Sequence, residues 1–238
     1  MAVRKVFLTG ATGGIGAALV AKFLADGYSV VAGDVVAARR PGADPADGRF
    51  KAIAFDIRDR VACEAAMLEG VDFLGGLDAL VNVAGVCYGG DPLSADPTEW
   101  AETFDVNVKG MFQLTRAALP HLANSDRADV VNISSIWGVE YNPSLLSYST
   151  SKFAVEGYTG ALRAWGMPKN IRVCAIQVDK VDTGFRRNLG VAGEFPEERL
   201  RKMIAPADVA STVSFVLSTS ATAQVSSLRL DAPLWYQK

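Results

Sequence analysis

Apolar and polar positions follow two alternating patterns along this chain. Short, nearly continuous apolar runs lie near residues 4–9, 28–33, 50–55, 78–83, 129–134, 171–177 and 226–231. Because these runs are continuous rather than alternating, we expect strands buried on both faces. Helical patterns begin near residues 15, 59, 97, 108, 147, 197 and 206. The chain is therefore predicted to alternate between strands and helices.

Such alternation predicts an α/β fold: a Rossmann-type, doubly wound parallel sheet of about seven strands with helices on both faces. We expect a single domain over residues 1–238, because neither a repeat nor a linker interrupts the pattern. Residues 39–48 are rich in Pro and Gly, which predicts a loop in place of the second crossover helix. The irregular stretch 184–203 follows a strand end and is expected to form a substrate lid.

A glycine-rich turn joins the first strand to the first helix. From Thr9 to Gly16 its sequence is Thr-Gly-Ala-Thr-Gly-Gly-Ile-Gly. Glycine allows a sharp turn and close approach to a ligand, and the N–H groups that begin the next helix attract phosphate. With a strand before it and a helix after it, this turn predicts a dinucleotide site. Its expected contact residues are Gly10, Thr12, Gly13, Gly14, Ile15 and Gly16.

An acidic residue, Asp34, ends the second apolar run, roughly 20 residues after the glycines. A carboxylate at this place accepts hydrogen bonds from the adenosine ribose and repels a 2′-phosphate, so the expected cofactor is NAD rather than NADP. Arg39 and Arg40 lie close in sequence and leave some use of NADP open. The structural alternative for Asp34 is a solvated loop acid.

Tyr148 and Lys152 are four residues apart in the fifth helical pattern and therefore share a helix face. A free phenol ionises near pH ~10, and a cation within a few ångströms lowers its pKa by roughly 1–3 units. Tyr148 is thus a candidate general acid or base that Lys152 activates. The same spacing alone would also fit a solvated helix face.

In their order along the chain, these motifs resemble those of the short-chain dehydrogenase/reductase family, from about Val3 to Ala205. The turn at Thr9–Gly16 resembles the family's nucleotide motif, and residues 82–85, Asn-Val-Ala-Gly, resemble its N-N-A-G strand end. The resemblance implies further cofactor contacts. These are Asp56 and Ile57 at the adenine, Asn82, Ala84 and Gly85 after the fourth strand, Val181 and Thr183 at the carboxamide, and Tyr148 and Lys152.

The resemblance also implies a catalytic set formed by Asn107, Ser135, Tyr148 and Lys152. Tyr148 would serve as base in alcohol oxidation and as acid in carbonyl reduction, while Ser135 hydrogen-bonds the substrate oxygen. Lys152 would hold the nicotinamide ribose, and Asn107 would support a water that connects Lys152 to solvent. The implied function is NAD-dependent hydride transfer to or from a secondary alcohol or ketone.

One departure from the family pattern follows the sixth strand. Val178-Asp179 stand where the family usually has Pro-Gly. Asp179 could perturb cofactor binding, face solvent, or pair with Lys180 or Arg186. The departure keeps an alternative function open, namely a catalytically weak nucleotide-binding scaffold or sensor of the same fold.

The resemblance further implies a homodimer or homotetramer in which the helix at 147–165 packs on its symmetry mate. This helix carries more apolar bulk than one face against the sheet requires. A second departure, Ala232-Pro233 in place of Gly-Gly near the C-terminus, favours the dimer.

Aromatic residues at strand ends bear on the substrate. Tyr88, Trp137, Tyr141 and Phe185 together indicate a largely apolar small-molecule alcohol or ketone. The pair at 186–187, Arg-Arg, is the competing indication, because guanidinium groups suit an anionic substrate.

Composition and charge narrow the remaining classes. A formal net charge of −2 offers no basic patch for nucleic acid or an anionic membrane. No apolar run approaches the ~20 residues of a membrane span. The 3 cysteines are widely spaced, which predicts neither a disulfide framework nor a metal site. The first strand follows the N-terminus without a signal-like segment, so we expect a cytoplasmic protein.

Overall fold

A computed structural model describes residues 3–39, 48–185 and 196–237 of the chain. Its centre is a seven-stranded sheet in the order β3-β2-β1-β4-β5-β6-β7. The strands are β1 Lys5–Thr9, β2 Ser29–Asp34, β3 Phe50–Ala54, β4 Ala79–Asn82, β5 Ala128–Ser135, β6 Ile171–Val178 and β7 Ser227–Leu230. All neighbouring strands pair in parallel. The predicted fold class is confirmed.

The helices alternate with these strands, as the sequence pattern predicts. They are α1 Gly14–Ala25, α2 Arg60–Leu74, α3 Pro97–Phe104, α4 Met111–Leu122, α5 Leu146–Gly166, α6 Glu197–Leu200 and α7 Pro206–Ser218. None of the helices in the described ranges combines the length and apolar character needed to cross a membrane.

Two apolar cores lie on opposite faces of the sheet. Val6 and Leu8 of β1 pack in the core that contains residues of α1 and α7, whereas Phe7 packs with residues of α2, α4 and α5. Successive strand residues point to opposite faces. The apolar runs of the central strands therefore have no polar alternation, because both faces of the sheet are covered there. The edge strand β7 differs, since Ser227 and Arg229 alternate with apolar residues and are exposed.

The order of the strands places a ligand cleft. After β1, the chain builds β2 and β3 on one side and then crosses to β4 on the other. The crevice outside the carboxyl ends of β1 and β4 is where open α/β sheets bind ligands. Thr9 ties these two ends together, because its Oγ1 accepts hydrogen bonds from Val83 N (3.1 Å) and Ala84 N (3.2 Å).

Two sequence predictions fall largely outside the described residues. Residues 40–47, most of the expected loop, and residues 186–195, half of the expected lid, are not among them. The described parts of the lid segment include α6. The single domain over residues 1–238 and the lid at 184–203 stay predictions.

Candidate active site

A cleft of about 1300 Å³ opens along the carboxyl ends of the central strands. All of the sequence-predicted site residues line it except Asn82 and Asn107. The cleft thus brings together residues from the first turn of the chain, from the ends of β2, β4, β5 and β6, and from α5. It joins the expected nucleotide site to the expected catalytic set.

The glycine-rich turn is shaped for close backbone contact. Gly10 has φ +66°, and a Cβ there would lie 2.7 Å from Ala84 N. A Cβ on Gly16 would collide with the carbonyl oxygen of Gly10. Only glycine fits these two positions, because one needs a left-handed backbone and the other has no room. The turn therefore holds α1 directly against the end of β1.

The start of α1 offers a cradle for phosphate. No side chain caps this helix at Gly13, so its first N–H groups are available to a ligand. Gly14 lies against Thr183, which the resemblance assigns to the carboxamide of the cofactor. A Cβ on Gly14 would lie 2.6 Å from Thr183 Cγ2. An uncapped helix N-terminus with glycines around it fits the pyrophosphate of a dinucleotide.

Asp34 is held in a fixed orientation at the end of β2. Its Oδ2 accepts hydrogen bonds from Thr12 N (2.8 Å) and Thr12 Oγ1 (2.7 Å). Its Oδ1 accepts one from Val35 N (2.7 Å). A carboxylate accepts about four hydrogen bonds, so acceptor capacity remains for ribose hydroxyls. The glycine-rich turn thus orients the acid that the sequence assigned to the ribose.

Asp56 and Ile57 follow β3 at the same side of the cleft. Arg58 contacts Asp56 with its Nη2 at 2.7 Å from Oδ2. This guanidinium lowers the pKa of the Asp56 carboxyl, which keeps a charged pair at the expected adenine position. Ile57 is buried and lies directly against Gly110. A Cβ on Gly110 would lie only 2.8 Å from Ile57 Cγ2.

Helix α5 presents Tyr148 and Lys152 to the cleft. Both side chains are buried, with Tyr148 at 8% exposure and Lys152 at 6%. The Lys152 Nζ lies 5.6 Å from the centroid of the Tyr148 ring. It also donates a hydrogen bond to Ile133 O on β5 (2.9 Å). The lysine is thereby anchored to the sheet beneath the phenol.

Burial sets the charge of Lys152. Removal from water lowers its pKa from 10.5 to about 8, and nearby Cys87 and Glu156 oppose this shift only in part. Desolvation disfavours the charged ammonium. Lys152 therefore exchanges its proton closer to neutral pH than an exposed lysine does.

Ser135 ends β5 inside the cleft. It is 4% exposed, and its Oγ accepts a hydrogen bond from Trp137 N (3.2 Å). A hydroxyl has one proton to donate as well as its acceptor capacity. Ser135 can therefore donate to an oxygen of a bound ligand while Trp137 orients it.

Asn107 lies behind the cleft rather than on its surface. It falls in a π-helical segment, Asp105–Gly110, between α3 and α4. Its Oδ1 accepts from Val86 N (2.8 Å), and its Nδ2 donates to Val86 O (2.9 Å) and Ser151 Oγ (3.0 Å). The side chain thus joins the segment after β4 to α5, a link through Ser151 that sequence reasoning missed.

Asn82 also lies outside the cleft. It ends β4 and is 5% exposed. Its Nδ2 donates to Thr115 Oγ1 (3.1 Å) and Asn132 Oδ1 (2.8 Å). Because Asn82 points into the buried layer under α4, its side chain bridges β4, β5 and α4. Its predicted contact with the cofactor stays a prediction.

Asp179 pairs with Lys180, one of the options that the sequence left open. Lys180 Nζ lies 2.6 Å from Asp179 Oδ1. The other carboxylate oxygen accepts from Ala232 N (3.2 Å), and Tyr236 Oη donates to Oδ1 (3.2 Å). The acid that replaces the family Pro-Gly is therefore neutralised inside the protein. The contribution of Tyr236 was missed, since no local pattern links residues 57 positions apart.

Two of the four aromatic residues expected at the pocket line the cleft, namely Trp137 and Phe185. Phe185 packs edge-on to Tyr148, with ring centroids 5.9 Å apart. The other two do not line the cleft. The Tyr88 hydroxyl instead donates a hydrogen bond to Glu102 (2.8 Å). Tyr141 is 85% exposed, and its ring stacks on that of Phe153. Arg186 and Arg187 lie outside the described residues.

Comparisons with known proteins show the family and the fold of the chain. A family model described as short chain dehydrogenase matches residues 4–192. A 3-ketodihydrosphingosine reductase of Bacteroides thetaiotaomicron is 32% identical over 187 residues, which is 79% of this chain and 67% of the relative. A 3-oxoacyl-acyl-carrier-protein reductase of Thermotoga maritima is 28% identical over 221 residues, 89% of each. The ligand-free structure of Thermoplasma acidophilum aldohexose dehydrogenase superposes with a TM-score of 0.83 at 26% identity, covering 99% of this chain and 96% of that one.

Proposed function

The chain belongs to the short-chain dehydrogenase family of oxidoreductases, and from that premise we propose that it transfers a hydride between NAD and a secondary alcohol or ketone. The observation that carries the proposal is the pair on α5. Lys152 Nζ lies 5.6 Å from the Tyr148 ring centroid, in the same cleft as the glycine-rich turn and Ser135.

The residues at the nucleotide end support a dinucleotide. The uncapped start of α1 would bind the pyrophosphate, and Asp34 would accept the adenosine ribose hydroxyls. Asp56 and Ile57, then Ala84 and Gly85, would flank the adenosine half. When bound, the nicotinamide supplies the hydride chemistry.

We favour NAD over NADP because of charge. A 2′-phosphate next to Asp34 would meet a carboxylate already fixed by Thr12. Two like charges near a protein surface repel by at least about 1 kcal/mol at close range. Arg39 is exposed. Together with its sequence neighbour Arg40, it leaves some use of NADP open.

Tyr148 and Ser135 would handle the substrate oxygen. In oxidation, the Tyr148 phenolate takes the hydroxyl proton; in reduction, the phenol returns a proton to the carbonyl oxygen. Ser135 donates a hydrogen bond to the same oxygen and holds it against Tyr148. General acid–base assistance of this kind contributes roughly 10²–10⁴-fold in rate.

Lys152 would serve both proton transfer and binding. Its ammonium favours the phenolate of Tyr148 and would hold the nicotinamide ribose together with Tyr148. A lysine whose pKa is about 8 exchanges protons readily near neutrality. Asn107 acts as a positioning residue here, because it fixes Ser151, whose Oγ donates to Tyr148 O (2.7 Å). The water once expected at Asn107 stays a prediction.

The alternative function, a scaffold or sensor that binds nucleotide without turnover, depended on Asp179. Lys180 neutralises this carboxylate at 2.6 Å, which removes the argument that an added charge would impair the nicotinamide pocket. A scaffold also has no chemical use for the pair of Tyr148 and Lys152. We therefore retain the enzyme as the proposed function.

The substrate we propose is small and largely apolar. Trp137 and Phe185 supply aromatic walls, and the charge of Lys180 is balanced by Asp179. Screening tests this proposal directly: purified protein is mixed with NAD and a panel of alcohols, or with NADH and a panel of ketones, while NADH absorbance is followed. NADH binding without turnover of any member would instead support the scaffold.

We also propose a homodimer or homotetramer and a cytoplasmic location. Exposed aromatic rings on the outer faces of α4 and α5, Phe112 (47%) and Trp165 (46%), support self-association. Cys63 and Cys174 are buried free thiols, which suits a reducing compartment.

A further inference from the structure

A cluster of four side chains lies beside the cleft near Ser135: Trp137, Asp179, Lys180 and Tyr236. The first three line the cleft, while Tyr236 belongs to the C-terminal turn Pro233–Tyr236. Ser135 is the strand partner of Val178 on β6. Trp137 and Lys180 each follow one of these partners by two residues. They therefore flank the space in front of Ser135.

Hydrogen bonds connect the C-terminal turn to this space. Lys180 Nζ donates to Asp179 Oδ1 (2.6 Å) and to Tyr236 Oη (2.9 Å). The Asp179 side chain is 1% exposed and that of Lys180 is 12% exposed. Buried charges hold their positions only when each keeps its partner. The contact with Tyr236 thus helps to fix the Lys180 ammonium.

Ring contacts extend this link to the cleft wall. The Lys180 Nζ lies 4.9 Å from the Trp137 ring centroid and 5.1 Å from the Tyr236 ring centroid. A cation within about 6 Å of a ring face is attracted to it. Lys180 therefore lies between one ring that lines the cleft and another that belongs to the C-terminal turn.

We propose that Lys180 and Tyr236 determine substrate specificity by positioning Trp137. The C-terminal turn Pro233–Tyr236 then acts on the substrate site from outside the cleft, through the contact of Tyr236 with Lys180. Because Asp179 balances the Lys180 charge, the wall presents a neutral aromatic surface. It selects uncharged carbonyl compounds with a flat apolar group, such as aryl ketones, over small aliphatic ketones. This inference rests on the proposed function.

The test compares the full-length wild-type protein with Tyr236→Phe and Tyr236→Ala. Reduction of acetophenone and of 2-butanone by NADH gives a ratio of kcat/KM values for the two ketones. We expect this ratio to fall roughly fivefold or more in Tyr236→Ala and less in Tyr236→Phe, mainly through the KM of acetophenone. The Kd of NADH should not change. Tyr141→Phe is the matched control, because that exposed ring lies outside the cleft.

A second set of variants tests whether Tyr236 acts through Lys180. Replacing the pair together, Lys180→Met with Asp179→Asn, avoids leaving a buried charge unpaired. In that background, Tyr236→Phe should cause no further change in the ratio, because the Lys180 ammonium through which Tyr236 acts on Trp137 is gone. An unchanged ratio in Tyr236→Ala, or an equal effect of Tyr236→Phe in both backgrounds, would overturn the inference while the proposed function stands. No wild-type reduction of either ketone, nor of any other carbonyl compound, would overturn both.

Discussion

Lys152 carries a charge that its buried surroundings disfavour. Replacing it with methionine should therefore increase the free energy of unfolding of the protein. Burial lowers its pKa from 10.5 to about 8. At about 1.36 kcal/mol per unit, this corresponds to roughly 3 kcal/mol of folding free energy lost while the ammonium is charged. The hydrogen bond to Ile133 O returns about 1 kcal/mol. We therefore expect Lys152→Met to be about 2 kcal/mol more stable than wild type near neutral pH.

The sign of the pH dependence follows from the lowered pKa. Below about pH 8 both folded and unfolded chains carry the lysine proton, so the penalty is constant. Between about pH 8 and 10.5 the unfolded chain binds more protons than the folded one, and the wild-type protein gains stability. From about pH 7 to about pH 9.5 the gain is about 2 kcal/mol. The advantage of Lys152→Met should therefore nearly vanish at the higher pH.

Urea unfolding of both proteins at the two pH values measures this difference. Lys169→Met is the matched control, since Lys169 is exposed and its replacement should shift stability equally at both pH values. If the gap between wild type and Lys152→Met were the same at both pH values, the argument that burial lowers the Lys152 pKa would be refuted.

Three further predictions concern the cofactor, the proton and assembly. NADH should bind at least about fivefold more tightly than NADPH in fluorescence titrations, and Asp34→Ala should bring the two affinities close together; equal affinities in wild type would contradict the assignment of Asp34. Alcohol oxidation at saturating NAD should speed up as pH rises, and Lys152→Met should move this limb to higher pH; an unshifted limb would argue against electrostatic activation of Tyr148. Light scattering should give a mass two or four times that of the chain, and a monomer at micromolar concentration would contradict self-association.

The sheet and most of the site could be predicted because their signals are local. Doubly buried strands are continuously apolar, and the glycines of the first turn are required where a Cβ would meet backbone atoms. Tyr148 and Lys152 share a face through helical spacing alone. These features depend on neighbours within one turn or one strand, so the chain sequence displays them directly.

The remaining features depend on contacts between distant segments. Asp179 could be paired with Lys180 only once β6 and the C-terminal turn were placed, because Ala232 and Tyr236 complete its hydrogen bonds. The positions of Asn82 and Asn107 behind the cleft follow from side-chain direction at a strand end and in a π-helical segment. Sequence spacing does not specify either direction.

The most direct test of the account is the turnover of Tyr148→Phe with a substrate that wild type accepts. This change removes only the hydroxyl, so NADH binding should weaken by no more than about tenfold, the loss of one hydrogen bond to the ribose, while kcat falls roughly 10²–10⁴-fold. Tyr141→Phe provides the control, since its exposed ring does not line the cleft. Turnover by Tyr148→Phe within a few-fold of wild type would contradict the claim that this phenol carries the proton in the reaction.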